Sequence, residues 1–404
     1  MSVNTLNFEQ VSTVLTSIVQ QATNQAILTP TDTGSFVSVA QVALRADRDS
    51  VMQAISNILA RTIFSIRPYE ARFKGLDMDT FRWGGMMRKL SIADSDWDDD
   101  EAYEYPIFYD AGQTPPDGEG LSIDRWKIKK PNVLQTNFYG QSVYADHMTI
   151  TEDQLETAFT GPEQLGSFLS LLMTNLSNRL EMSNEALRRG LICNAIAALY
   201  EENNSERVIH LLSEYNTLTG ITPALTSQTV YDPANFPAFC KWVYSRVAEI
   251  TDLFTANSTM FQTVITGKPI LRHTPYEYQK VYLYAPFQRQ IESRVLADTY
   301  HDNYLKYADV ETVPFWQSIG AKESVKATPS YVDSTGTLVT STAQTVEPVF
   351  GLIFDRDCMG MTITDRRVLS TPLNESGLYR NIWVHGKQRI VFDNTEKCCL
   401  LLLD

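Results

Sequence analysis

Residues 151–180 read TEDQLETAFTGPEQLGSFLSLLMTNLSNRL and contain the start signals of two successive helices. Thr151, followed three residues later by Gln154, forms a capping box that predicts a short first helix. Pro162 stands at the first position of the second helix, where its missing N–H is no loss. Apolar residues then recur at helical spacing to about Tyr200, which predicts one helix roughly 55 Å long. Such a length indicates an architectural spine.

The segment before this spine predicts a long two-stranded excursion over residues 81–132, followed by a strand over 133–147. Its first limb is acidic, its tip is rich in Pro and Gly, and its second limb is basic. A protrusion of this kind buries little against its own domain, so we expect it to pack on another chain. The candidate contact residues on its two limbs are Asp96, Asp98, Asp99, Asp100, Arg125, Lys127, Lys129 and Lys130.

The N-terminal region predicts helices joined by a linker. Residues 1–24 form an amphipathic pattern that Asn7 can cap, and residues 28–35, LTPTDTGS, are typical of a linker. A second helix is expected near residues 51–59, and a β-like run covers 62–69. The first helix either packs back on its own domain or reaches a neighbouring subunit.

After the spine, residues 206–345 predict a separate α/β unit, and residues 346–404 return to strands. The Ser/Thr-rich stretch 322–344 predicts an exposed loop or a β-hairpin. The tail CCLLLLD is too short to span a bilayer, and a prenylation motif needs a cysteine where Leu401 stands. It therefore predicts a last strand that is buried on both faces.

A dense mixed-charge cluster lies within the closing section. The simplest explanation is a set of surface ion pairs, each of which contributes under ~1 kcal/mol to stability. The alternative is inter-subunit pairing, in which several charges fix register and orientation. Its members are Asp355, Arg356, Asp357, Asp365, Arg366 and Arg367.

Composition narrows the classes of function. The chain has 404 residues and a formal net charge of −14. It is therefore a poor candidate for binding nucleic acid, because affinity for phosphate comes mainly from Lys and Arg contacts. Its N-terminus lacks the features of a signal peptide, and five cysteines at irregular spacing argue against a disulfide framework. A reducing cytoplasm is the default compartment.

Catalytic and metal-binding motifs are largely absent from the sequence. The acidic run from Asp94 fails as a calcium loop, because its sixth and twelfth positions are Asp99 and Tyr105. No P-loop, GxGxxG, GxSxG or HExxH motif occurs, and the five histidines are widely spaced. We therefore predict no enzyme activity, no cofactor and no metal.

The order of these elements resembles the major capsid proteins of tailed bacteriophages with the Hong Kong 97 fold, most like those of small short-tailed podophages. Three segments carry the resemblance: 130–178, 283–305 and 351–404. In the last of them, the family pattern D-[RK]-D and then N-x-x-G-x-Y-x-N matches the following positions: Asp355, Arg356, Asp357, Asn374, Gly377, Tyr379 and Asn381.

The resemblance implies an α+β capsid fold and self-assembly of hexamers and pentamers into an icosahedral shell around double-stranded DNA. It also implies a scaffolding protein during assembly, a portal at one vertex, no membrane, and assembly in the host cytoplasm. No immunoglobulin-like C-terminal domain is expected. The corresponding units are a helical arm 1–60, a connector 61–80, an extended loop 81–132, a peripheral domain 133–205 with the spine helix, an axial domain 206–345 and closing peripheral strands 346–404.

Two other functions stay open from the sequence. An encapsulin-like nanocompartment shell would share the fold, although the inserted unit 206–345 favours a virus. A soluble enzyme with a dispersed site would instead form a small oligomer and bind divalent metal tightly.

Overall fold

A computed structural model describes residues 8–23, 29–46, 71–78, 87–93, 132–138, 142–159, 161–266, 269–294 and 309–404. The α-helices of this part of the chain are α1 Phe8–Thr23, α2 Thr33–Ala46, α3 Glu152–Ala158, α4 Pro162–Glu202, α5 Leu211–Thr219, α6 Phe236–Thr255 and α7 Ala285–Arg294. No helix among these residues is long and apolar enough to cross a membrane.

The strands form two larger sheets and several two-stranded pairs, so the predicted α+β class is confirmed. They are β1 Met87–Ala93, β2 Asn132–Phe138, β3 Ser142–Thr151, β4 Val208–His210, β5 Gln279–Tyr284, β6 Asp309–Val313, β7 Val325–Ala327, β8 Ser330–Val332, β9 Leu338–Thr340, β10 Gln344–Val346, β11 Val349–Asp355, β12 Met359–Ser370, β13 Tyr379–Phe392 and β14 Cys398–Leu402.

The spine helix α4 begins and ends close to its predicted limits. Pro162 lies in its first turn, and Asn203, in a left-handed conformation, follows its last residue. The capping box before it is also confirmed, because Thr151 N donates to Gln154 Oε1 at 3.3 Å and Gln154 N donates to Thr151 Oγ1 at 3.4 Å. With 41 residues, α4 spans roughly 60 Å.

The spine helix joins two separate hydrophobic cores. Its first half places Leu176 and Leu180 in a core with Ile150 of β3 and Ile382 of β13. Its second half contributes a row of buried residues to the larger core around the five-stranded sheet: Leu191, Ile192, Ala195, Ile196 and Leu199. One continuous helix therefore fixes the relative position of the two cores.

The five-stranded sheet has the order β4-β14-β11-β5-β6, with β14 parallel to β4 and antiparallel to β11. All five residues of β14 are buried, which confirms the prediction that the leucine-rich tail is a strand covered on both faces. Since β14 lies between two other strands, it is part of the interior of this sheet.

The prediction that residues 346–404 close a single peripheral domain is wrong for two of their four strands. β11 and β14 belong to the five-stranded sheet, whereas β12 and β13 join β3 in the order β12-β13-β3. An apolar run shows that a strand is buried, but it does not show which sheet will cover it, because the pairing is set by distant residues.

The N-terminal helix α1 packs on its own subunit, the first of the two expected alternatives. Val11, Leu15 and Ile18 are buried in the core that contains the first half of α4. The predicted linker is wrong at its end, because α2 starts at Thr33 where Asp32 Oδ1 accepts a 2.6 Å bond from Ser35 N. The helix expected near 51–59 and the β-like run 62–69 lie outside the described residues.

Two predicted hairpins have counterparts. β1 and β2 pair antiparallel, with Met87 opposite Phe138 and Ala93 opposite Asn132, and form the base of the predicted excursion; we call this pair the ribbon. Its tip, residues 94–131, lies outside the described part of the chain. In the Ser/Thr-rich stretch, β8 pairs with β9 and β7 with β10, as a hairpin requires.

Candidate assembly surfaces and their polar support

The ribbon has one exposed apolar face. Side chains alternate along β1, so that Leu90 and Ile92 are 62% and 65% exposed, and Val133, opposite Ile92, is 42% exposed. A strand pair that presents adjacent apolar side chains to solvent is a candidate contact surface for another chain. Sequence reasoning missed these residues, although the alternation in MRKLSIA was a signal for them.

The opposite face of the ribbon is held by charges. Lys89 Nζ lies 2.6 Å from Asp393 Oδ2 and also contacts Glu396. Arg272 joins Glu396 to the ribbon, because one guanidinium nitrogen lies 2.6 Å from Glu396 Oε1 and another donates to Ser91 Oγ at 3.0 Å. Burial raises the pKa of Glu396 although Lys89 and Arg272 act against it.

These acceptors belong to a buried polar loop, residues 393–397, that connects β13 to β14. Every residue of this loop is at most 6% exposed. Asn394 Nδ2 donates to Glu202 at the end of the spine helix at 2.6 Å, and to Thr263 at 2.9 Å. The loop is therefore a junction at which the ribbon, the spine helix and the five-stranded sheet meet.

Lys397 in this loop caps the C-terminus of α6. Its Nζ donates to the carbonyls of Phe254 and Ala256 at 3.1 and 2.7 Å, where a cation is favoured by the helix dipole. Burial lowers the pKa of Lys397 to about 8, and the nearby Asp355 only partly opposes this shift.

Because the pKa of Lys397 is lowered in the native state, we expect a pH-dependent stability difference from Lys397→Met. Below pH 8 the amine is protonated in both folded and unfolded chains. Between about pH 8 and its ordinary value of 10.5, only the unfolded chain holds the proton, so the wild type gains stability relative to the variant as pH rises. Urea unfolding from pH 7 to 10 measures this, and parallel curves would contradict it.

The mixed-charge cluster predicted from the sequence divides into two places. Asp355 is buried and accepts bonds from Thr274 Oγ1 at 2.6 Å and Asp357 N at 2.8 Å, so it stabilises a turn within the subunit. Its prediction as an inter-subunit residue is wrong, because a carboxylate so enclosed is not accessible to a neighbour. The guanidinium carbon Cζ of Arg356 lies 3.5 Å from the ring centroid of Tyr278, and the side chain is about half exposed.

The second group lies in the middle of β12, several residues further along the strand. Arg367 is 72% exposed and lies 3.0 Å from Asp365, a geometry typical of a surface ion pair. Arg366 lies near Tyr144, where burial raises the pKa of the tyrosine and the guanidinium opposes that shift. Arg356, Asp357, Arg366 and Arg367 stay predictions as inter-subunit residues, and the limb residues, from Asp96 to Lys130, lie outside the described part.

The three-stranded sheet offers a second open surface on the face turned away from α4. The rings of His147 and Trp383 stack with centroids 4.4 Å apart, and His385 continues the stack at 5.9 Å. Val143 and Leu369 on the flanking strands are 63% and 54% exposed. This aromatic and apolar face is a further candidate for contact with another copy.

Metal-ligating groups and thiols were the remaining candidates for chemistry among the described residues. No group of three or more His, Cys, Asp or Glu among them could hold a metal ion. The five cysteines are buried and free. Burial raises the pKa of Cys193 to about 11 and that of Cys240 to about 12, so these thiols stay protonated and unreactive near neutral pH.

Comparisons with solved structures give chains from bacteriophage structures, two of which are described as capsid structures. A capsid structure of Staphylococcus phage Andhra is 11% identical, with a TM-score of 0.49 over 84% of this chain and 87% of that chain. A structure of the head fiber and inner core protein of native bacteriophage P68 is also 11% identical, with a TM-score of 0.49 over 83% and 85%. The capsid of cyanophage P-SCSP1u gives 11% identity and a TM-score of 0.40 over 84% and 89%.

A comparison with curated protein sequences gives no match. The family model of the Phi29-like phage major capsid protein, by contrast, matches residues 15–402. Since this match covers nearly the whole chain, the protein belongs to the Phi29-like phage major capsid protein family and is a shell-forming capsid subunit.

Proposed function

We propose that this subunit builds an icosahedral shell of the Hong Kong 97 type, made of hexamers and pentamers, around the double-stranded DNA of a short-tailed phage. The order of elements supports this: helices packed on a long spine, an extended ribbon, and a second sheet inserted after the spine. The six predicted units remain our division of the chain, with β11 and β14 moved to the axial unit.

The ribbon's apolar face is the observation that carries the proposal. Leu90, Ile92 and Val133 form a cross-strand patch that the described part of the subunit leaves in solvent. A shell subunit makes many such contacts at once, so each can be weak while the assembly is stable.

The remaining partners follow from the same proposal. A scaffolding protein would act during assembly in the host cytoplasm, and a portal would occupy one vertex. With a net charge of −14, the subunit is suited to enclose DNA without sequence-specific binding or tight phosphate contacts. The proposal involves no membrane and no cofactor.

The most direct test is Ile92→Asp, with Ile92→Val as the matched control. We expect the aspartate variant to fold as the wild type does but to form at least roughly tenfold fewer shells, because a charge cannot be buried in an apolar contact without a partner. Size-exclusion chromatography and negative-stain microscopy, with and without the scaffolding protein, measure assembly. Shells at wild-type yield from Ile92→Asp, or a wild-type monomer under all conditions, would contradict the proposal.

The acidic and basic limbs of the predicted excursion give a second prediction. Charge reversal of the acidic limb 94–101, or of the basic limb 125–130, is expected to reduce shell yield strongly while the melting temperature of the free subunit stays within a few degrees. Opposite charges on these limbs set register and orientation more than affinity. Reversal of both limbs together should restore part of the yield. An unfolded product would show instead that the loop belongs to the core.

A further inference from the structure

The ribbon is attached to the rest of the subunit by side chains on the face opposite its apolar patch. Lys89 lies between Asp393 and Glu396, whose side chains are only 2% and 8% exposed. Burial lowers the pKa of Lys89, but attraction to these two carboxylates outweighs that effect and raises it overall. The amine is therefore charged at neutral pH.

Arg272 forms the other half of this attachment. Arg272 belongs to the body of the subunit. It contacts Glu396 and also donates a hydrogen bond to Ser91 on the ribbon. Glu396 therefore lies between one cation from the ribbon and one from the body of the subunit. A buried carboxylate that loses one of two cationic partners is strongly destabilised, so the closed arrangement is favoured.

The loop that carries the acceptors is itself fixed. Lys397 is bonded to the end of α6, and Asn394 to Glu202 at the end of the spine helix. A ribbon whose base is bonded to such a loop cannot change direction without breaking the Lys89 contacts. The same contacts turn Leu90 and Ile92 outward, because successive side chains of a strand point to opposite faces.

We propose that Lys89 is a latch that fixes the direction of the ribbon and thereby presents its apolar face to a neighbouring copy. In the closed state Lys89 engages Asp393 and Glu396, as in this structure. In the open state the ribbon base separates from the loop 393–397, and the apolar face is no longer held in one orientation. The latch is thus a conformational device of the free subunit, beyond the shell contact itself.

Hydrogen exchange of the unassembled subunit tests the latch without any shell. Lys89→Met is expected to speed amide exchange in residues 87–93 and 132–138 by roughly tenfold or more, since local opening sets the exchange rate. The control Arg88→Met changes the adjacent residue on the exposed face and should stay within about twofold of wild type. Equal exchange in Lys89→Met and wild type, or equal acceleration by Arg88→Met, would overturn the proposal.

Two further measurements separate a latch from a general loss of stability. Amides of β11 and β14 should exchange at wild-type rates in Lys89→Met, and their acceleration would mean global destabilisation and no latch. Lys89→Arg keeps the charge and should preserve ribbon protection. If Lys89→Met fails to fold, the milder Glu396→Gln provides the same comparison, with faster exchange confined to the ribbon expected. Failure here would leave the shell-assembly test with Ile92→Asp unaffected.

Discussion

Deletion of residues 399–404 is expected to leave no folded subunit. The deletion removes most of β14, which lies between β4 and β11 in the five-stranded sheet and is buried throughout. Burying one leucine is worth about 1.5–3 kcal/mol, so the four leucines together approach the 5–15 kcal/mol by which a whole domain is typically stable. The two neighbouring strands also lose their central partner. The soluble fraction after expression and the circular dichroism spectrum measure the result.

Point variants make this prediction specific. Leu401→Asp places a charge at a fully buried position of β14 and should be nearly as damaging as the deletion. Leu378→Asp, at a position that is 52% exposed, is the matched control and should fold normally. Asp404→Ala removes only the exposed 2.7 Å pair with His210, so it should change stability by less than about 1 kcal/mol. A soluble, cooperative subunit from Leu401→Asp would contradict the sheet position of β14.

The elements that the sequence predicted well are those whose signals are local. The spine helix was found from Pro162 and a long apolar period, and the short helix before it from the pair Thr151 and Gln154. The tail was predicted as a buried strand because four leucines in succession fit a strand covered on both faces. In each case the residues that decide the structure are neighbours in the chain.

The elements that were missed depend on distant residues. The assignment of β11 and β14 to the five-stranded sheet follows from pairing with β5 and β4, which no local pattern encodes. The first residues of α2 were placed in the linker 28–35 because Pro30 and Gly34 stand near its start, where Asp32 in fact caps it.

The candidate site was predictable only in part for the same reason. Charge in the sequence marked Asp355 as a surface residue, yet its bond to Thr274, 81 positions away, places it inside. Lys89 lies more than 300 positions from Asp393 in the chain. The sequence around Lys89 therefore contains no signal for this ion pair. The apolar patch at Leu90 and Ile92 could have been found, because it rests on simple alternation.

Replacement of Arg207 by methionine is expected to cost about 3–5 kcal/mol of stability, the range for breaking a buried ion pair on one side. Arg207 is 1% exposed, contacts Glu202 and donates to Thr263 Oγ1 at 2.6 Å. It also reaches the carbonyls of Asn394 and Cys398 at 3.3 and 3.4 Å. Methionine fills a similar volume but leaves the Glu202 carboxylate without its cation.

A double-mutant cycle distinguishes the ion pair from packing. Arg207→Met together with Glu202→Gln removes the orphaned charge, so the double variant should be more stable than Arg207→Met alone. Arg246→Met is the matched control, because its pairs with Glu214 and Glu249 are partly exposed and should be worth under about 1 kcal/mol. Urea unfolding of the free subunit measures the wild type, Arg207→Met, Glu202→Gln, the double variant and the control Arg246→Met. If Arg207→Met cost no more than Arg246→Met, the Arg207 ion pair would add little to the link between the spine helix and the loop 393–397, and that link would depend on the bond from Asn394 to Glu202 and on packing.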